Sequence, residues 1–223
     1  MNETYKVQVQ DLVDDLKAVF THAGLGGEAG EYKLLTQSFL YKFLNDKFLY
    51  QAKILDESNT YENLLAMSEE DYDWLLEDIG TSTAWLKPDQ LIETLHRQQN
   101  EATFYETFEN TLNQIAIDNN DIFSVHTDGD TAIRLFDERL ITDTISDSSK
   151  RNEVAKAIIN LLARVKFDET IFSQGFDFFS TLFEYMIKDY NKDGGGKYAE
   201  YYTPHSVAKI IADILVGDDK PQN

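Results

Sequence analysis

The sequence predicts an all-α protein. Apolar residues recur at spacings of three and four along most of the 223 residues, only three prolines interrupt them, and alternation typical of strands is almost absent. Hydrophobic residues make up 42% of the chain and aromatic residues 13%, which is enough to bury a sizeable core. We therefore expect one helical domain of about eight helices over residues 1–192.

The helices can be placed in order along the chain. The apolar faces of the first two consist of Val9, Leu12, Val13, Leu16 and Phe20, and of Leu35, Phe39 and Phe43. Glycines in residues 24–30 predict the loop between them. Further helices are predicted at residues 64–79, 88–97, 104–117, 132–140, 154–165 and 176–190. Residues 123–126 form a short segment that could adopt an extended conformation. Asp147 is predicted to begin the cap region of the next helix.

Negative charge is concentrated in one segment. The net charge is −20, and residues 54–133 hold 18 Asp and Glu against only Lys87 and Arg97. The total argues against a nucleic-acid partner, since phosphate contacts need Lys and Arg, but the uneven distribution weakens that argument. A solvated acidic face is the simplest interpretation. The alternative is a surface that docks on a basic partner protein or faces away from DNA.

Several classes of protein are excluded by composition. No apolar run approaches the roughly 20 residues that cross a bilayer, and no signal-peptide pattern begins the chain, so we expect a soluble, cytoplasmic protein. The absence of cysteine excludes disulfides, thiolate metal sites and cysteine nucleophiles. The four histidines are scattered, with no zinc pair and no nucleophile elbow. Residues 24–29 fit G-x-G-x-x-A, but they follow a helical pattern rather than a strand, so we interpret them as a linker.

The most informative segment joins a glycine run at residues 194–196 to the last predicted helix. Its sequence is Glu200-Tyr201-Tyr202-Thr203-Pro204-His205. Thr203 can cap a helix, and Pro204 suits the first helical position. The apolar residues that follow form one stripe and are predicted to be buried: Val207, Ile210, Ile211, Ile214 and Leu215. We expect a connector over residues 193–202 and a separate helix over residues 203–223.

This junction resembles a known family. Gly-Gly-x-x-x-Glu-Tyr-Tyr-Thr-Pro, followed after His205 by Ser-Val-Ala-Lys-Ile-Ile, is similar to a motif of the modification (methyltransferase) subunits of type I restriction-modification systems. Weaker similarity covers residues 31–44 and 176–186. The resemblance implies that the six residues from Glu200 to His205 help to bind S-adenosylmethionine, the methyl donor for adenine N6. His205 stands where many relatives have arginine, so a cation there is less dependable near neutral pH.

The resemblance also implies what this chain lacks. Family members continue with a strand, a Gly-rich loop and an Asn-Pro-Pro-Phe/Tyr motif, and no Asn-Pro-Pro occurs here. We interpret the chain as the N-terminal part of an adenine-specific DNA methyltransferase subunit, truncated before its α/β catalytic domain. We expect no catalytic residue and no activity in this part alone. The implied partners are a DNA-specificity subunit, a second modification subunit, a restriction subunit, and double-stranded DNA through the complex.

Two alternatives remain open. One is a calcium-binding, EF-hand-like helical protein, because Asp189, Asn191, Asp193 and Glu200 occupy loop positions 1, 3, 5 and 12 with a glycine at position 6. Gly196 replaces the usual apolar residue of that loop, and a helix start at Thr203 conflicts with a helix already running through Glu200. The other alternative is an acidic helical adaptor that binds a basic protein. We expect no functional metal site.

Overall fold

The computed structural model describes residues 3–27, 29–123, 134–167 and 169–173, together with the single positions 207 and 211. By its contacts the chain divides into two compact units, Met1–Phe178 and Phe179–Asn223. Every helix described below belongs to the first unit. The predicted helix at residues 176–190 lies outside the described residues.

The first unit is built from helices, as predicted. They are α1 (Glu3–Ala23), α2 (Ala29–Leu55), α3 (Tyr61–Ala66), α4 (Glu69–Ile79), α5 (Ile92–Gln98), α6 (Phe104–Asp118), α7 (Asn120–Phe123), α8 (Leu140–Thr144), α9 (Arg151–Arg164) and α10 (Glu169–Ser173). Short 3₁₀ turns occupy Pro88–Gln90 and Ser148–Lys150. No strand occurs in the described part of the chain. The all-α fold class is therefore confirmed.

The apolar faces predicted for α1 and α2 form much of the core. All five of the α1 residues are buried, as are Leu35 and Phe39 of α2, while Phe43 is half-buried. The glycine loop between the two helices is confirmed over residues 24–27, but α2 already begins at Ala29, so Gly30 lies in the helix. Gly24 and Gly27 have φ values of 96° and 74°, in the left-handed region that side chains with a Cβ rarely adopt.

Helix α9 packs against α1, α5 and α6. Its buried residues are all apolar: Val154, Ala155, Ile158, Ile159, Leu161 and Leu162. Burying these side chains removes apolar surface from water, which stabilises the fold by about 25 cal/mol for each Å² buried. Asp147 caps the turn before α9 as predicted, because its side chain accepts a hydrogen bond from the Ser149 N–H.

Three predicted helices have different limits in the structure. Residues 64–79 form two helices, since Ser68 Oγ accepts from the Asp71 N–H and caps a new start at α4. Residues 88–97 divide into a 3₁₀ turn and α5. Residues 134–139 are not helical, because the Asp137 N–H donates to the Gln37 side chain at 3.0 Å instead of to a helical carbonyl. Of residues 123–126, for which an extended conformation was considered, Phe123 is instead the last residue of α7. Residues 124–126 lie outside the described residues.

A polar contact holds the loop after α4 against α6. Asn119, which follows α6, is buried. Its side-chain oxygen accepts from the Trp85 N–H at 2.6 Å, and its side-chain nitrogen donates to the Trp85 carbonyl at 2.8 Å and to the Ile115 carbonyl at 2.9 Å. One side chain thus pairs with both backbone groups of Trp85 and adds a second donor to the Ile115 carbonyl, which also accepts from the Asn119 N–H at 3.1 Å.

Candidate functional site

The residues predicted to bind the cofactor, Glu200 to His205, lie outside the described residues, as do Asp189, Asn191 and Asp193 and the connector at residues 193–202. Two positions just after the motif are described. Val207 and Ile211 are helical, which agrees with the predicted stripe, but they are 42% and 48% exposed. The predicted burial of the stripe is therefore not found at these two positions, because a helical spacing creates an apolar face without supplying a surface to cover it.

The described part of the chain shows how the segment leading toward the motif is anchored. The contacts that anchor this segment centre on Asp46 of α2, whose side chain is only 7% exposed. The Asp46 carboxylate accepts from the Lys42 ammonium at 3.0 and 2.8 Å and from the Asn45 amide at 2.8 Å. It also accepts from the Phe167 N–H at 2.8 Å. One carboxylate on α2 therefore holds the backbone of the chain just after α9.

Lys42 is the charged partner in this cluster and is 3% exposed. Burial lowers the pKa of its ammonium group, Asp46 raises it, and the nearby Lys166 lowers it, so that the pKa lies below its usual value. The ammonium nitrogen also lies 5.5 Å from the centre of the Phe167 ring. A buried cation needs such partners, because an unpaired one would lose its hydration without compensation.

The same face of α2 fixes the start of α5. Asn45 accepts from the Ile92 N–H at 2.9 Å, which satisfies one of the amides that a helix start leaves free. The Tyr41 hydroxyl donates to the Gln90 carbonyl at 2.6 Å. Burial, and secondarily the charge of Asp89, raises the pKa of Tyr41, so its hydroxyl remains a donor at neutral pH.

Helix α10 continues this contact with α2. The Phe172 ring stacks on Tyr50 at 5.3 Å between centroids and meets Phe43 edge-on at 5.6 Å. Phe167 and Ile171 are buried. Within the described residues, these aromatic side chains are thus part of the core packing. The chain is held on α2 up to the last described helix before the motif.

The cluster around Asp46 is structural rather than catalytic. Its carboxylate already accepts from three groups, which leaves no free base for proton transfer. Among the described residues no group of three or more His, Cys, Asp and Glu could hold a metal ion. Sequence reasoning missed the cluster. The available signal was the spacing of four between Lys42 and Asp46, which places both on one helix face.

Comparison with known proteins identifies the C-terminal segment. Residues 174–223, which contain the Glu200 to His205 motif, match the family described as N-6 DNA Methylase. Over 99% of its length, the chain also superposes on the methyltransferase subunit of a type I restriction-modification system from Streptococcus thermophilus, with a TM-score of 0.65 and 20% identity. The resemblance predicted from the sequence is confirmed.

The likeness to this methyltransferase subunit has a defined extent. The chain covers 45% of the Streptococcus thermophilus chain, and the family match occupies the C-terminal end. No curated protein matches the sequence. In the part of the chain that the structure describes, no helix is long and apolar enough to cross a membrane. The helical unit, most of which precedes the family match, is therefore similar in fold to part of this subunit.

Proposed function

We propose that the chain is the N-terminal part of an adenine-specific DNA methyltransferase (modification) subunit of a type I restriction-modification complex. The observation that carries this proposal is the match of residues 174–223 to N-6 DNA methylases, together with the Tyr-Tyr-Thr-Pro motif inside those residues. The similarity of fold to a type I methyltransferase subunit supports the same assignment for the helical unit.

In this proposal the segment from Glu200 to His205 contributes to binding S-adenosylmethionine. The sequence predicts that Thr203 caps a helix beginning at Pro204, and this cap would set the direction in which the chain enters the cofactor site. Tyr201 and Tyr202 offer flat apolar surface with a polar tip. His205 offers an imidazole, a side chain that can carry positive charge, toward the carboxylate of the cofactor.

The helical unit has a supporting role in the proposal. It holds the chain that leads to the motif and packs against the other subunits, which we propose to be a specificity subunit, a second modification subunit and a restriction subunit. Double-stranded DNA is bound by the whole complex in the cytoplasm. Methylation of adenine N6 requires the base to leave the stack, so the complex must close around the DNA. We expect the 223-residue chain alone to transfer no methyl group.

The experiment uses the full-length subunit. Replacing Thr203 and Pro204 with alanine should weaken S-adenosylmethionine binding in calorimetric titration, while circular dichroism shows unchanged helical content. The matched control is Ser68→Ala, which removes a comparable helix cap from α4 and costs about 1 kcal/mol of local stability. Its cofactor affinity should equal that of the wild type. Unchanged affinity in the double variant would show that the motif only begins a helix.

A further inference from the structure

Trp74 occupies an unusual place on α4. Tyr72, Leu75 and Ile79 turn one face of this helix into the core. Trp74 lies on the opposite face and is 61% exposed. By contrast, Trp85, the other tryptophan of the chain, is half-buried and donates its ring N–H to the Gly80 carbonyl at 2.6 Å. The fold therefore does not use the apolar ring of Trp74, and tryptophan is the residue most enriched among binding hot spots.

The charges around Trp74 indicate what chemistry would cover it. Glu69, Glu70, Asp73 and Glu77 line one open depression with the Trp74 ring. Within the described residues, none of these four carboxylates forms an ion pair. This face is the part of the acidic segment where negative charge accumulates around an exposed aromatic ring. A partner with positive charge would be complementary to it.

Elsewhere in the same acidic segment, the two available cations are already used. Lys87 pairs with Asp118 at 3.0 Å, and Arg97 pairs with Glu93 at 3.3 Å and with Glu62 at 3.6 Å. No cation from within the segment is therefore placed to neutralise the α4 face. Among the ion pairs of the described residues, no cation from another segment of the chain reaches this face either, so it is open to a charge complement on another molecule.

Helix stability does not explain this arrangement. Carboxylates in the first turn, such as Glu69 and Glu70, are favoured by the helix dipole. Glu77 lies near the opposite end of α4, where the dipole disfavours negative charge and where no basic residue stands. Asp73 has like charges four residues before and after it, at Glu69 and Glu77, and such pairs destabilise a helix.

We propose that the exposed face of α4 is a docking surface for a basic protein partner that presents arginine side chains. An arginine can place its guanidinium over the Trp74 ring and reach a flanking carboxylate with the same planar group. Lysine would satisfy the charge but would match this combination less well. DNA is excluded as the occupant, because phosphates would meet four unpaired carboxylates. The proposal is independent of the methyltransferase assignment.

The test measures binding of a labelled helical peptide with arginine at every fourth position on an alanine background. Fluorescence anisotropy follows its binding to the 223-residue chain. Peptides with lysine or glutamine in place of arginine, and a DNA duplex, are titrated in parallel. We expect the arginine peptide to bind more tightly than the lysine peptide, and we expect no binding of the glutamine peptide or of DNA.

Two variants and one matched control locate the site. Trp74→Ala should weaken binding of the arginine peptide about threefold, which is the size of an exposed cation–π contact. The variant that neutralises the face should weaken it at least tenfold, and it carries Glu69→Gln, Glu70→Gln, Asp73→Asn and Glu77→Gln. The control removes the same number of charges at exposed positions elsewhere, and it carries Asp11→Asn, Asp15→Asn, Glu57→Gln and Asp121→Asn. Its affinity should stay within about twofold of the wild type.

The outcomes are decisive because every altered side chain is exposed, and thermal unfolding verifies that each variant folds. Equal losses in the two charge variants would overturn the proposal, since they would show attraction to net charge alone. Absence of binding by the arginine peptide would also overturn it. Unchanged affinity in Trp74→Ala, or binding of DNA that depends on the α4 face, would do the same.

Discussion

Lys42 and Asp46 form a buried ion pair one turn apart on α2, with 2.8 Å between the ammonium nitrogen and one carboxylate oxygen. The pair is more than a contact within one helix, because the same carboxylate accepts from the Phe167 N–H, 121 residues later in the chain. A surface pair of this spacing would add only a few tenths of a kcal/mol. Here the pair is part of the contact that fixes where the chain leaves α9.

Removal of Asp46 should destabilise the protein strongly. In Asp46→Ala the Lys42 charge stays buried without a partner and the Phe167 N–H loses its acceptor, so the free energy of unfolding should fall by about 3–5 kcal/mol. Urea unfolding followed by circular dichroism measures the change. The matched control is Asp143→Ala, which breaks the exposed pair of the same spacing with Arg139 and should cost less than about 1 kcal/mol.

A double variant separates the charge from the packing. Lys42→Met combined with Asp46→Leu removes both charges and retains apolar volume, so it should be more stable than Asp46→Ala. Equal destabilisation by Asp46→Ala and Asp143→Ala would contradict the buried role of the pair.

The sequence predicted those elements whose signal is local. The stripe from Val9 to Phe20 and the start of the glycine loop after it were predicted correctly, because burial periodicity and positive φ leave a direct trace in residue order. The predicted end of the loop was wrong, since Gly30 already lies in α2. The break at Ser68 was missed, since its cap competes with an apolar pattern that continues through it. The link from Asp46 to Phe167 depends on tertiary contact across 121 residues, which no spacing rule encodes. The candidate cofactor motif was found by family resemblance, and its contacts remain a prediction.

Replacement of Gly30 by alanine should be tolerated only if Thr144, which lies against it, is also replaced by a smaller residue. A Cβ at Gly30 would lie 2.7 Å from Thr144 Cγ2, closer than two carbon atoms can pack. Gly30→Ala should therefore lower stability by about 1 kcal/mol, because overpacking outweighs the better helix propensity of alanine. In a Thr144→Ala background, the same substitution should stabilise the protein by about 0.5–1 kcal/mol. Thermal unfolding of the wild type, the two single variants and the double variant checks the change of sign. A destabilising effect in both backgrounds would show that the clash is not the cause.

Asn119→Ala should loosen the loop after α4. It removes three hydrogen bonds. The Ile115 carbonyl keeps its bond from the backbone N–H of residue 119, but the Trp85 N–H and carbonyl lose the Asn119 side chain, and backbone groups left without partners cost about 1–3 kcal/mol. The free energy of unfolding should fall by about 2 kcal/mol, and the Trp85 fluorescence should shift toward that of an exposed indole. Asn110→Ala, at an exposed position on α6, is the control and should change neither quantity. An unchanged fluorescence spectrum in Asn119→Ala would show that other contacts hold the loop.

Asp118 should make stability depend on acid pH. Burial alone would raise the pKa of its carboxyl group, but hydrogen bonds from Gln90 and Gln114, and the contact with Lys87, outweigh burial and hold the pKa below the usual 3.8. The folded state therefore binds its proton less readily than the unfolded chain. This contribution to stability is fully present above pH 3.8 and is lost as the pH falls through the lower folded pKa.

The difference in unfolding free energy between the wild type and Asp118→Asn tests that sign. It should be constant near neutral pH and should shrink below about pH 4, as measured by urea unfolding across the acid range. Lys87→Gln removes one cause of the lowered pKa, so in that background the pH-dependent part should become smaller. Added salt should act in the same direction, because Lys87 is largely exposed and its pairing is screened. A difference that grows as the pH falls would reverse the assigned direction, and it would mean that burial, rather than the three donors, controls the protonation of Asp118.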